Sequence, residues 1–158
     1  MLRCFFDTNA LDWLLEDPGG SILLDQAQRG SMCIITAADN VHEVQRMPDD
    51  KAEKRARLHA LLGGQFRPIA PTHLPILGIA RLGAARIATG RVMDLRDLLI
   101  KMGIRGLDTN HLINAHQEHC DLFATFDKGV LGKGDEIGVL LQLECLPPNN
   151  LLARLSKT

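Results

Sequence analysis

Aromatic side chains make up only 4% of this 158-residue sequence. That is too few for base stacking to be a main theme of any nucleic-acid recognition. No apolar run approaches the ~20 residues that a membrane-spanning helix needs. The first residues also lack the basic and apolar regions of a secretory leader, so a cytoplasmic location and no membrane partner are expected. There is no CxxC pair. Cys4, Cys33, Cys120 and Cys145 are scattered, three of them in apolar runs. They read as buried thiols in a reducing compartment rather than as a zinc site or disulfide framework. Internal repeats, low-complexity tracts and Pro/Gly-rich linkers are absent as well, and the length suits one domain spanning residues 1–158.

What is present is an ordinary globular composition, 46% hydrophobic and 23% charged, with a net charge of −1. The balance is local, not uniform. Arg81, Arg86, Arg91, Arg96, Lys101 and Arg105 face only Asp94 and Asp97 within residues 81–105. A near-neutral total therefore conceals a basic region beside an acidic remainder.

Short apolar runs alternate with helical patterns. The expected strands are Leu2–Phe6, 31–36, 122–126 and 141–146, with an edge strand or extended connection in "QFRPIAPT". Helices are expected over 10–15, 22–28, 37–47, 49–62, 76–89, 93–102 and 108–119, with a short one at the C-terminus. "EDPGG" breaks the first helix and Pro48 stops the third. This alternation predicts an α/β domain with a mainly parallel sheet.

Open parallel sheets bind ligands beyond the carboxyl ends of their strands. Asp7 and Asp127 each follow an apolar strand. Glu43 lies on the helix after the second strand, and Asp108 opens the helix before the 122–126 strand. All four acids are therefore expected at one edge. Each also has a purely structural reading. Asp7 and Asp108 suit helix caps, the latter with Leu107 and Leu112 as a staple; Glu43 suits a solvated helix face and Asp127 a turn. Together, four carboxylates in one crevice repel one another unless cations or protons neutralise them, and oxygen donors suit Mg²⁺ or Mn²⁺. Asp121 precedes its strand and is expected to face away. His42 points about 100° from Glu43 on a helix. His111, His116 and His119 share one helix and read as surface or packing residues.

"FFDTNAL" (5–11), "ITAADNVHEV" (35–44), "GLDTNHLINAHQEHCDLFATFDKG" (106–129) and "LECLPPNNLL" (143–152) resemble, in order, the PIN-domain family of metal-dependent nucleases, which includes VapC-type toxins. The family's acids fall on Asp7, Glu43, Asp108 and Asp127, and its small polar residue beside the last acid on Thr125. The resemblance implies a three-layer α/β/α sandwich and an endoribonuclease using one or two Mg²⁺ or Mn²⁺ ions. Asp7 and Asp108 would be the nearest ligands, with Glu43 and Asp127 acting through water or at a second ion. Thr8, Asn9 and Thr125 would hold the carboxylates. It further implies RNA as substrate, an antitoxin protein as partner, and a homodimer that would use apolar helices in 76–102. The basic stretch 81–105 would offset the acidic crevice, with Lys51, Lys54, Arg55 and Arg57 as a second source of charge. No family motif aligns over 48–105.

Other readings compete. A haloacid-dehalogenase-type phosphatase needs an acid two residues after the first, and position 9 is Asn9. A receiver domain lacks its expected acid pair on the first strand and its late lysine. A PIN-like binding module without catalysis stays open.

Overall fold

Successive side chains of a strand point to opposite faces, and the first strand obeys this closely. In β1 (Leu2–Phe6), Cys4 and Phe6 join one apolar cluster and Phe5 the other, all three fully buried. A strand with both faces covered belongs inside a layered α/β domain. The computed structural model describes residues 1–64, 67–69, 72–73, 86–87 and 90–155.

After β1 come α1 (Thr8–Glu16), α2 (Pro18–Gln28), β2 (Met32–Ala37), α3 (Ala38–Gln45), a short 3₁₀ turn at Asp49–Lys51 and α4 (Ala52–Gly64). Then follow β3 (Arg67–Ile69), β4 (Thr72–His73), β5 (Arg86–Ile87), α5 (Gly90–Lys101) and α6 (Gly106–Gln117). The chain closes with β6 (Leu122–Ala124), α7 (Lys128–Leu131), α8 (Gly134–Leu141), β7 (Glu144–Leu146) and α9 (Pro148–Leu155).

Five strands form one sheet in the order β3-β2-β1-β6-β7, and every pairing is parallel. Leu14, Leu23, Val44, Leu58 and Leu151 cover one face, from α1, α2, α3, α4 and α9. Val92, Leu99, Leu112, Ile113, Ile137 and Leu141 cover the other, from α5, α6 and α8. The result is the three-layer α/β/α sandwich expected. Phe5 and Phe123 are register partners on adjacent strands and stack at 5.3 Å between centroids. Such a pair adds roughly 0.5–1.5 kcal/mol beyond its buried area.

The "EDPGG" break is a junction of two helices. Asp17 ends α1 and caps α2, accepting from Gly19 N at 2.8 Å, and Pro18 takes the first helical position, where its missing N–H costs nothing. Gly20 is required here. A Cβ on it would lie 2.4 Å from the Leu14 carbonyl oxygen.

Several expectations need correction. The helix expected from 10 starts at Thr8, because Asp7 is its cap. The helix expected from 108 starts at Gly106, with Arg105 at the cap position, so Asp108 sits in the first turn. The helix expected over 76–89 fails near its end, where Arg86–Ile87 pairs in parallel with Thr72–His73; long-range pairing overrides local periodicity there. The rest of that stretch lies outside the described residues. α8 was not legible as a helix. Among the described residues no helix is long and apolar enough to cross a membrane. All four cysteines are free thiols, and burial pushes those of Cys120 and Cys145 up to about 12, which leaves them inert at neutral pH.

Candidate functional site

The chain runs outward from β1 to β2 and β3, then returns to β6 and β7 on the other side of β1. The strand order thus reverses between β1 and β6, and a crevice opens beyond the carboxyl ends at such a switch point. Asp7 leaves β1 there, and Thr125 and Asp127 leave β6.

The backbone ties these ends together. Asp7 N donates to Ala124 O at 3.1 Å, and Thr125 N to Leu146 O at 3.2 Å. The Asp7 carboxylate is 6% exposed and takes the Thr8 amide on Oδ1. Its Oδ2 accepts the Thr125 hydroxyl at 2.8 Å. The Thr125 oxygen in turn accepts the Asp127 amide at 3.0 Å, so one fully buried hydroxyl bridges the two acidic positions. Asn9 Oδ1 accepts the Phe126 amide at 3.0 Å and fixes the same turn.

Glu43 is reached from the other side. The Thr8 hydroxyl donates to the Glu43 carboxylate and accepts from Asn40 Nδ2 at 2.9 Å. Asn40 is fully buried and accepts from Ala37 N at 3.1 Å, at the start of α3. The sequence reading missed Asn40. Its signal is a spacing of three from Glu43, which sets both on one side of the helix. Asp127 caps α7, its Oδ1 accepting from Val130 N at 3.0 Å.

Asp108 is half-buried at the start of α6. Burial, then the negative charges of Asp7 and Asp127, hold its carboxyl above the ordinary 3.8. Asp7 and Asp127 thus lie within the electrostatic neighbourhood of Asp108. A cleft of about 450 Å³ lies against Asp108 and Asp127, lined also by Asn9, Arg105, Phe126 and Lys128 among others. Among the described residues no three His, Cys, Asp or Glu side chains close up as a preformed metal cage would.

His111 is also brought in, as a buried packing residue beside Phe5. It is 1% exposed, and its Nδ1 lies 3.6 Å from Asp7 Oδ1. It follows Asp108 by three, nearly one helical turn, a spacing that could have revealed the shared face. His116 instead contacts Leu141 O at 2.7 Å, and His42 contacts Gln45 at 3.2 Å. Asp121 accepts from Arg3 N at 2.8 Å at the opposite end of the sheet. The second basic group is largely engaged within the fold. Lys54 bridges Asp12 and Glu16 at 2.9 and 3.0 Å, Arg55 bonds Met47 O at 2.7 Å, and Arg57 bonds Leu15 O at 3.2 Å. Lys128, in the cleft, was not singled out.

The pair of Asp7 and His111 sets a pH dependence. Burial pushes the Asp7 carboxyl up, but His111, the Thr125 hydroxyl and the Thr8 amide outweigh it and hold it below 3.8. Burial pulls His111 down, but Asp7 beside it, with Glu43 and Asp39 further off, holds it above 6.5. The Asp7 contribution is present above 3.8 and is lost as pH falls through its lowered value. The His111 contribution is complete below 6.5 and is lost as pH rises through its raised value. Urea unfolding of chelator-treated protein is therefore expected to show stability declining above pH 6.5. His111→Gln should remove that decline; an identical slope in the variant would disprove the assignment.

A parallel sandwich with this strand order and an acidic crevice at its switch point has the PIN-domain fold, of the VapC type. Two solved structures share it. The structure of VapBC2 from Rickettsia felis bound to a DNA fragment from their promoter superposes with a TM-score of 0.60 at 15% identity, over 91% of this chain and 98% of that one. PAE2754 from Pyrobaculum aerophilum gives 0.60 at 11% identity, over 99% and 97%. No family model matches the sequence, and no curated protein does.

Proposed function

We propose that this chain is a metal-dependent nuclease that hydrolyses phosphodiester bonds in RNA. The observation that carries the reading is the convergence of Asp7, Asp108 and Asp127 at the switch point, where the charges of Asp7 and Asp127 raise the cost of ionising Asp108. The donor set fits Mg²⁺ or Mn²⁺, since all four acids offer hard oxygen ligands. Such an ion keeps several waters and needs only one or two direct carboxylates, which suits an open cleft better than a closed cage. Asp7 and Asp108 would hold it directly, with Glu43 and Asp127 acting through water or at a second ion. When bound, a divalent cation lowers the pKa of a coordinated water and neutralises charge on the phosphate.

The chain's own groups do the rest. Thr8, Asn9 and Thr125 keep the carboxylates from turning, as hydrogen-bonded neighbours of metal ligands do. Arg105 and Lys128 line the same cleft and offset its negative charge toward a phosphate backbone. A single domain over 1–158 is part of the proposal. So is a protein partner of antitoxin type, carried over from the VapBC2 assembly, and a second copy of the chain on the α5 side. There Met93, Leu98, Ile100 and Leu107 are 48%, 44%, 43% and 53% exposed. A purified chain that sediments as a monomer at high micromolar concentration would refute the homodimer.

Incubation with a mixed pool of structured RNA tests the function. Cleavage with Mn²⁺ or Mg²⁺, abolished by EDTA and restored by excess ion, is expected. Cleavage that survives EDTA would overturn the metal assignment. An inert protein that binds no Mn²⁺ would favour the binding-module reading.

A further inference from the structure

His111 is buried to 1% exposure on α6, and neither ring nitrogen makes a hydrogen bond among the described residues. An imidazole so deeply buried normally has partners, because leaving a polar group unsatisfied costs about 1–3 kcal/mol. Its ring is held on one side by Phe5, 6.0 Å away between centroids. Its Nδ1 points toward Asp7 Oδ1 at 3.6 Å, and a shift of about 0.6 Å would make a normal hydrogen bond.

The remaining contacts of the Asp7 carboxylate define what this approach does. Oδ2 is fixed by Thr125, and Oδ1 receives the Thr8 amide from within the same turn. His111 approaches Oδ1 from α6, in the helix layer that covers Phe5, whereas Thr8 belongs to α1 in the other layer. A carboxylate oxygen can only accept, so Nδ1 must carry a proton to engage it.

We propose that His111 is a positioning residue for Asp7. Its Nδ1–H fixes the carboxylate plane, so that the lone pairs left over are presented to a cation in the cleft. The role rests on the metal-site reading above and extends it to a residue that touches neither cation nor RNA. The same geometry gives α6 two jobs within one turn, Asp108 offering a carboxylate to the cleft and His111 holding another.

Mn²⁺ binding without nucleic acid, followed by electron paramagnetic resonance of the free ion, separates the possibilities. Wild type, Asp7→Asn, His111→Phe and His111→Gln are compared, with circular dichroism confirming the fold of each. The Phe variant is expected to bind roughly 10–100-fold more weakly. The Gln variant keeps an N–H donor and should recover most of the affinity. Phe binding as tightly as wild type, while Asp7→Asn does not, overturns the inference alone. Wild type showing no binding that Asp7→Asn removes overturns the metal-site reading and the inference with it. If the Phe variant does not fold, His111→Met takes its place under the same criteria. In the wild-type protein, long-range proton–nitrogen NMR should find Nδ1 protonated. A neutral ring protonated only at Nε2 overturns the inference.

Discussion

Asp7→Asn is expected to lower metal-dependent RNA cleavage on the order of 10²–10³-fold while leaving the fold in place. The substitution keeps the side chain's shape and removes its charge. An Asn oxygen still accepts from the Thr8 amide, so the start of α1 remains capped. His111 loses its counter-charge but can release its proton, so no bare buried cation is left behind. The loss should therefore appear in turnover and in Mn²⁺ affinity, with far-ultraviolet circular dichroism unchanged. Near wild-type cleavage by a folded Asp7→Asn protein would remove Asp7 from the site and leave the convergence of acids as a structural accident.

Thr125→Val is the second large effect, and it should act on stability and activity together. Valine fills the threonine's space without the hydroxyl. In the native site that hydroxyl donates to Asp7 Oδ2 and accepts from the Asp127 amide. Its loss leaves the buried Asp7 carboxylate and the half-buried Asp127 amide each short of a partner, costing about 1–3 kcal/mol. The carboxylate it orients would also turn more freely, lowering activity roughly 10–100-fold. Thr125→Ser keeps the oxygen and should recover most of the activity. Equal urea midpoints for wild type and Thr125→Val would show that the bridge contributes nothing.

Much of the architecture was legible because strand and helix periodicities differ so clearly. "CFF" and "LFA" are apolar throughout, the mark of strands covered on both faces, and both lie in the sheet. The positions of Asp7 and Asp127 followed from that reading and from chain direction alone. Cap chemistry was less legible. Asp108 suits a cap, yet the helix begins two residues earlier, because a start with no side-chain cap leaves no sequence signal. α8 was missed since "GDEIGVLL" opens on glycine and carries no helix-initiating residue beyond its early acids. The neighbour of His111 was hidden for another reason. His116 is the only other histidine on α6, whereas Asp7 lies 104 positions away, just past β1. Local spacing says which face of a helix a residue shares, not which strand lies under that face.

The hydrogen bonds from Asp7 N and Thr125 N continue the sheet's ladder past its last regular residues. The acidic centre is thereby tied by backbone hydrogen bonds to the ends of β1, β6 and β7. Amide hydrogens at these two positions are expected to exchange with solvent only when the β1, β6 and β7 ends separate. Asp7 is anchored directly by this ladder, so adjustment to an incoming polymer is expected from the helices and turns that border the cleft.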